Sequence, residues 1–242
     1  VGCYFVIIEN LPMNKFVKII LIVIAVLVAV SIIAMTRFWW MQRSEQEVIG
    51  VSFSQVQAER YGSDWKDNYI SMIDELGFRH IRIATYWDRI EKIPGVYDFA
   101  EIDFIIEEAK KRNAKITLVL GQKTIRVPEC YYPSWLDKND SNEVGSQVNK
   151  MIKATAERYK NEPVIEAWQL ENEFLLRSFG DCPQQNLTRE ALNTELSTLK
   201  SVDTSRPIIL TQSDQIGWPV SGPFGNNYGF SMYRYVWSPI GY

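Results

Sequence analysis

The 242-residue chain has one histidine, His80, and only three cysteines, Cys3, Cys130 and Cys182. No Cys/His cluster exists, so a metal centre is not expected, because such sites need three or four of these ligands close together. There is no glycine-rich phosphate loop, no basic cluster, no internal repeat and no low-complexity tract, and no cofactor is expected. Positive charge is scarce outside the amino terminus. Residues 1–43 hold Lys15, Lys18, Arg37 and Arg43 against Glu9, a balance of +3, which leaves −6 for the remainder of a chain whose net charge is −3. An acidic domain binds nucleic acid poorly, since affinity for the phosphate backbone comes from Lys and Arg, and no nucleic-acid partner is expected.

Charge is also missing from the eighteen residues Ile19 to Thr36, which are dominated by Ile, Val, Leu and Ala and flanked by Lys18 and Arg37. That length suffices for a membrane span. Phe38, Trp39 and Trp40 follow directly and suit the aromatic belt of a lipid interface. No small-x-small cleavage site follows, so the expectation is an uncleaved signal anchor over residues 16–41, with the following domain on the extracytoplasmic side. The positive-inside count is a tie, two cations on each flank, and does not decide the orientation. Residues 1–15 read as a short cytosolic lead, within which Met13-Asn14-Lys15 resembles a natural start, and residues 42–46 as a tether.

From residue 47 onward, strand and helix patterns alternate. Strands are expected over 47–54, 80–87, 114–121, 164–173, 207–214 and 228–237, and helices over 64–76, 100–112, 141–160 and 187–202. Gly77 stops the first of these helices. Five crossovers of this kind imply a parallel sheet, most simply a (β/α) barrel, an α/β fold.

The segment Ala167-Trp168-Gln169-Leu170-Glu171-Asn172-Glu173 is the end of an apolar strand that delivers an Asn-Glu pair to a solvent-facing edge. A carboxylic acid there is both partly desolvated and reachable, and burial favours the protonated form that can be handed to a leaving group. An Asn beside it offers a neutral amide for a sugar hydroxyl.

Several stretches together resemble clan A of the glycoside hydrolases, the retaining TIM-barrel group of cellulase-like and β-galactosidase-like families. Gly77-Phe78-Arg79-His80-Ile81-Arg82 is similar to the clan's entry into strand two. Trp87-Asp88-Arg89-Ile90-Glu91 with Pro94-Gly95-Val96-Tyr97-Asp98-Phe99 is similar to its W-x-x-I-E and P-G-x-Y-D-F stretch. Trp168 to Glu173 matches the end of strand four, and Gly229 to Arg234 resembles strand six. The resemblance implies a (β/α)8 TIM barrel over residues 47–242, with about six of the eight units present, preceded by one transmembrane helix. It implies hydrolysis of O-glycosidic bonds in a carbohydrate substrate by double displacement, which needs two carboxyl groups about 5–5.5 Å apart. Glu173 would be the acid/base. Asn172 would bind the 2-hydroxyl, Arg82 would hold the nucleophile ionised, and Tyr233 would donate a hydrogen bond to it.

The clan's nucleophile, a Glu ending strand seven, has no counterpart before Tyr242, and a full barrel takes about 250 residues. The sequence is therefore expected to be part of a longer gene product and inactive by itself. Glu129, Glu171 and Asp214 do not match the nucleophile's place; Glu171 is expected to support the site or bind substrate. In a barrel the loops carrying Cys130 and Cys182 rise side by side, so a disulfide between them is reasonable, with two free thiols as the alternative. Trp87, Trp135, Trp168, Trp218 and Trp237, with Tyr131, Tyr132, Phe174 and Phe179, either stack on sugar rings or pack the loops over the barrel. Asn186-Leu187-Thr188 is a glycosylation sequon. The lone His80 does not fit the histidines common in cellulase-like members, which leaves the family within the clan open. A membrane-anchored barrel that binds glycans without cleaving them, and a purely structural envelope protein, are the alternatives to an enzyme.

Overall fold

Parallel strands cannot be joined by tight turns, so each pair needs a long crossover, and the capped helical stretches of this sequence supply them. The computed structural model of the chain describes residues 14–42, 48–176, 180–213 and 227–231. It divides into two units, Val1–Val48 and Ile49–Tyr242.

Among the described residues the first unit holds one helix, α1 (Lys15–Gln42), whose side chains are exposed from Lys15 to Trp40. Its 28 residues span about 42 Å at 1.5 Å per residue. Among the described residues it is the one helix long and apolar enough to cross a membrane.

The second unit runs β1 (Val51–Phe53), α2 (Gln55–Arg60), α3 (Trp65–Asp74), β2 (His80–Ala84), α4 (Trp87–Ile90), α5 (Ala100–Lys111), β3 (Lys115–Leu120), α6 (Ser141–Tyr159), β4 (Ile165–Leu170), α7 (Arg189–Val202), β5 (Ile208–Ser213) and β6 (Asn227–Ser231). All strand pairings are parallel, and the order in the sheet equals the order in the chain. A sheet that adds each new strand on the same side follows a barrel's progression, whereas a doubly wound sheet reverses direction. The fold is a partial (β/α)8 barrel.

Helix starts follow side-chain chemistry. Asp64 accepts the N–H groups of Lys66 and Asp67, Asp140 those of Asn142 and Glu143, and Thr188 that of Ala191. Each satisfies backbone donors that the first helical turn leaves unpaired. Gly77 ends the α3 segment at φ 75°, a left-handed conformation that L side chains disfavour.

The two faces of the sheet differ. Ile81, Ile83, Ile116, Leu118, Leu120, Trp168, Leu170, Ile208 and Leu210 pack against helix residues such as Tyr69, Ile73, Ile105, Val148, Ile152 and Leu199 in the main core. Each such aliphatic side chain contributes about 1.5–3 kcal/mol on burial. The alternate residues Arg82, Gln169 and Thr211 turn to the other face and hydrogen-bond in series, Arg82 Nε to Gln169 Oε1 at 2.6 Å and Gln169 Nε2 to Thr211 Oγ1 at 3.3 Å.

Three element boundaries differ from the sequence expectation. The first strand is short, Val51–Phe53 rather than 47–54, and Ser54 caps the unexpected helix α2 by accepting the Gln57 N–H at 3.1 Å. Strand β2 stops at Ala84, and Trp87–Ile90 is helical. Strand β4 stops at Leu170 rather than continuing to 173, because Glu171 and Glu173 adopt positive φ values of 60° and 47°, which no strand accommodates.

Candidate active site

Carboxyl-terminal strand ends are where a barrel of this type presents chemistry. At the end of β4 three successive residues, Glu171, Asn172 and Glu173, leave the sheet in a tight path that reverses the backbone twice. The Glu171 N–H donates to Leu120 O at 2.8 Å, the Asn172 N–H to Lys123 O at 2.7 Å, and the Glu173 N–H to Thr211 Oγ1 at 3.0 Å. The tip of β4 is therefore tied to the ends of both neighbouring strands.

Glu171 is wholly buried. Its two oxygens accept the backbone N–H groups of Gln122 at 2.8 Å and Lys123 at 2.7 Å. Gly121, at φ 122°, makes room: a Cβ there would lie 2.1 Å from Glu171 Oε1. Glu195 of α7 reaches the same place, fully buried, with Gln122 Nε2 3.4 Å from its Oε1. Burial pushes the Glu171 carboxyl up to about 7, opposed by hydrogen bonds from Glu195 and the two N–H groups, and burial beside Glu171 raises Glu195 as well. Both Glu171 oxygens are thus engaged by the backbone of the strand tip.

Asn172 Oδ1 accepts from Arg82 Nη2 at 2.7 Å, which fixes the orientation of its amide. Arg82, Gln169 and Asn172 form one network under the tip. The Glu173 side chain is 5 % exposed, and its Oε1 has no hydrogen-bond partner among the described residues. The expected solvent-facing edge is in fact covered, because the segments after β3 and β4 fold over it: Lys123, completely buried, donates to Glu173 O at 3.0 Å and to Leu176 O at 3.1 Å. Glu129 is not a solvated loop acid. It is 5 % exposed and its Oε2 lies 3.1 Å from Lys123 Nζ, while burial raises its carboxyl against the pull of that ammonium.

The same two segments are joined by the Cys130–Cys182 disulfide, with Cα atoms 5.4 Å apart. Tyr233, Trp218 and Trp237, with Phe179, Asp214 and Cys3, lie outside the described residues. No group of three or more His, Cys, Asp or Glu that could hold a metal ion occurs among the described residues. His80 pairs with Glu166 at 2.8 Å, at the register shift where β3 and β4 lose one residue of pairing.

Two of the aromatics take the packing alternative. Trp168 is fully buried on the helix side of the sheet, its Nε1 donating to Asp203 at 2.9 Å, because residue 168 alternates with the inward Gln169. Trp87 is equally buried, its Nε1 donating to Glu91 Oε2 at 2.6 Å. Glu91 Oε1 accepts the Gly95 N–H at 2.8 Å, and Glu91 O accepts Trp135 Nε1 at 2.8 Å. The Trp87 to Glu91 and Pro94 to Phe99 stretch is thus a folding clasp around one buried carboxylate. Trp135 and Tyr132 stay half-buried, and Tyr131 and Phe174 are buried. The sequon is also internal: Asn186 is 4 % exposed, and its Nδ2 donates to Tyr132 Oη at 3.2 Å and Lys138 O at 2.9 Å. Sequence reasoning missed Lys123 and Glu195. A lysine two residues past an apolar strand was the available signal for the first, and nothing in the pattern of an amphipathic helix marks the second.

Comparison with known proteins places this arrangement. Beta-galactosidase BgaA of Clostridium cellulovorans is 27 % identical over 180 residues, covering 64 % of this chain and 27 % of that protein. Beta-galactosidase BgaB of a Geobacillus species is 28 % identical over 123 residues, 43 % of this chain and 18 % of that protein. The chain thus spans about a quarter or less of the length of these curated relatives. Among solved structures, GH5_18 from Streptomyces cattleya in complex with GlcNAc superposes with a TM-score of 0.56 at 13 % identity, covering 70 % of this chain and 45 % of that one. The exo-beta-1,4-mannosidase Op5Man5 from Opitutaceae bacterium strain TAV5 gives 0.54 at 16 % identity over 68 % and 32 %. At these identities the structures speak for the fold. The model of the cellulase family, glycosyl hydrolase family 5, matches residues 41–235, a span that holds the strand-four tip and the network beneath it, and the chain belongs to that family.

Proposed function

We propose that this chain carries the acid/base half of a retaining glycoside hydrolase acting on O-glycosidic bonds, with Glu173 as the acid/base. The observation that carries the reading is the end of β4, where Glu173 keeps an unpartnered carboxyl oxygen beside Asn172, whose amide is oriented by Arg82. In the first step Glu173 gives its proton to the glycosidic oxygen as the bond to the anomeric carbon breaks and a carboxylate bonds to that carbon. In the second, Glu173 takes a proton from water, whose oxygen displaces the carboxylate. Asn172 would donate to the 2-hydroxyl. None of the three nearby described acids is free to attack: Glu129 is ion-paired, Glu171 is saturated by backbone N–H groups, and Glu195 is enclosed with it. The attacking carboxylate is taken to lie outside the described residues, as does Tyr233, proposed to donate to it.

The names of the relatives suggest β-galactosides and β-mannosides as the first substrates to try. Trp87 and Trp168 are buried, which leaves half-buried Tyr132 and Trp135 as the described aromatics of these loops proposed to meet a sugar ring. The apolar helix α1 is proposed to anchor the protein in a membrane uncleaved, with the barrel on the extracytoplasmic side. The Cys130–Cys182 bond supports that side, since disulfides persist in oxidising compartments.

The test is Glu173→Gln in the complete gene product, assayed on an unactivated β-glycoside. Turnover should fall about 10²–10⁴-fold, the usual worth of general acid catalysis. Wild-type turnover in that variant would refute the assignment.

A further inference from the structure

Glu173 stands at φ 47°, a conformation that a residue with a side chain holds only when its surroundings fix it. One residue makes contact with each of the three residues at this tip. The Lys123 backbone N–H donates to Glu171 Oε2 at 2.7 Å, its carbonyl accepts the Asn172 N–H at 2.7 Å, and its Nζ donates to Glu173 O at 3.0 Å. The same ammonium donates to Leu176 O at 3.1 Å, which also fixes where the chain leaves the site. Lys123 is completely buried and its charge is met by Glu129 at 3.1 Å, next to the disulfide at Cys130.

Burying an ammonium is costly, and a fold that only needed to fill this space would do so more cheaply with Met or Leu. What an apolar side chain cannot do is bind two carbonyls at once. We infer that Lys123 is a positioning residue for the reaction: its ammonium holds the main chain of Glu173 so that the carboxyl meets the glycosidic oxygen. This inference rests on the reading of Glu173 as acid/base. Displacing a reacting group by about 1 Å can cost about 10²-fold, and here the loss falls only on steps that need the proton. The first step, which kcat/KM reports, is insensitive to it for substrates whose leaving group departs without protonation, whereas the second step is common to every substrate and slows for each.

The experiment compares kcat/KM on 2,4-dinitrophenyl and unactivated alkyl β-glycosides of the sugar the wild-type gene product hydrolyses. The variants are Lys123→Met/Glu129→Gln, which removes both buried charges together, and Lys123→Arg, which keeps the cation but replaces the ammonium that binds both carbonyls. Glu173→Gln is the control. The expected result is a loss of kcat/KM at least tenfold larger on the alkyl than on the dinitrophenyl substrate in both Lys123 variants. Equal losses on the two substrates, or none, would overturn the role of Lys123, because a merely structural residue lowers both together. If Glu173→Gln itself does not discriminate between leaving groups, the acid assignment fails and takes this inference with it. A discriminating control with flat Lys123 variants removes Lys123 alone.

Discussion

Replacing Glu195 by Gln tests whether the two buried acids beneath the strand-four tip share a proton. Both Glu171 oxygens accept backbone N–H groups, at 2.8 and 2.7 Å, so Glu171 is the member suited to carry negative charge. Glu195 faces the Gln122 amide at 3.4 Å and is raised further by the charge of Glu171, so it is the member expected to keep a proton as pH rises. Both carboxyls are raised above the ordinary value by burial, Glu171 to about 7 and Glu195 upward as well. A raised acid binds more protons folded than unfolded, so its stabilisation is complete at low pH and is lost as pH climbs through the folded value. For Glu171 the window runs from 4.5 to about 7, and at 1.36 kcal/mol for each pH unit it amounts to about 3 kcal/mol. In Glu195→Gln the amide NH2 supplies the same donor without a proton to lose. Urea unfolding at intervals from pH 5 to 9 should therefore show wild-type stability falling by about 3 kcal/mol or more, and the variant keeping the Glu171 part of that fall while losing the part that Glu195 adds. The variant should equal the wild type near pH 5 and exceed it by about 1–3 kcal/mol at pH 8–9. An unchanged slope would refute the shared proton.

Other outcomes follow from the same geometry. Gly121→Ala places a methyl carbon 2.1 Å from Glu171 Oε1 at φ 122°, so strain and displacement of a doubly bonded carboxylate should together cost about 3–6 kcal/mol by chemical denaturation; less than 1 kcal/mol would show that the tip can rearrange. Replacing Cys130 and Cys182 by Ser opens a crosslink between residues 52 apart in sequence, for which loop entropy predicts a loss of about 4 kcal/mol, read as a lowered Tm and abolished by reductant in the wild type. Asn186 should carry no glycan when the folded protein meets a glycosylating host, because its Nδ2 is already donating inside the core; mass spectrometry showing full occupancy would contradict its burial.

The strand and helix alternation was legible because apolar runs, caps and Gly77 are local signals, and the acid at position 173 was legible because it ends such a run. Which way each side chain faces was not. Trp168 and Gln169 are adjacent in sequence, yet the pleat sends one into the helix layer and the other into the Arg82 network, and only strand pairing sets that phase. The left-handed turns at Glu171 and Glu173 depend on partners 48 to 50 residues away, Gln122, Lys123 and the space above Gly121, so no window of sequence predicts them. That Glu171 is buried with Glu195 and Lys123 with Glu129 was hidden for the same reason. The parallel α/β class, the apolar helix and the acidic tip were readable from the chain alone, because they rest on short-range periodicity and composition. Which acids are spent on holding the backbone, and which keeps an unpartnered oxygen, was set by the tertiary fold, because burial and long-range hydrogen bonds exist only once the strands lie side by side.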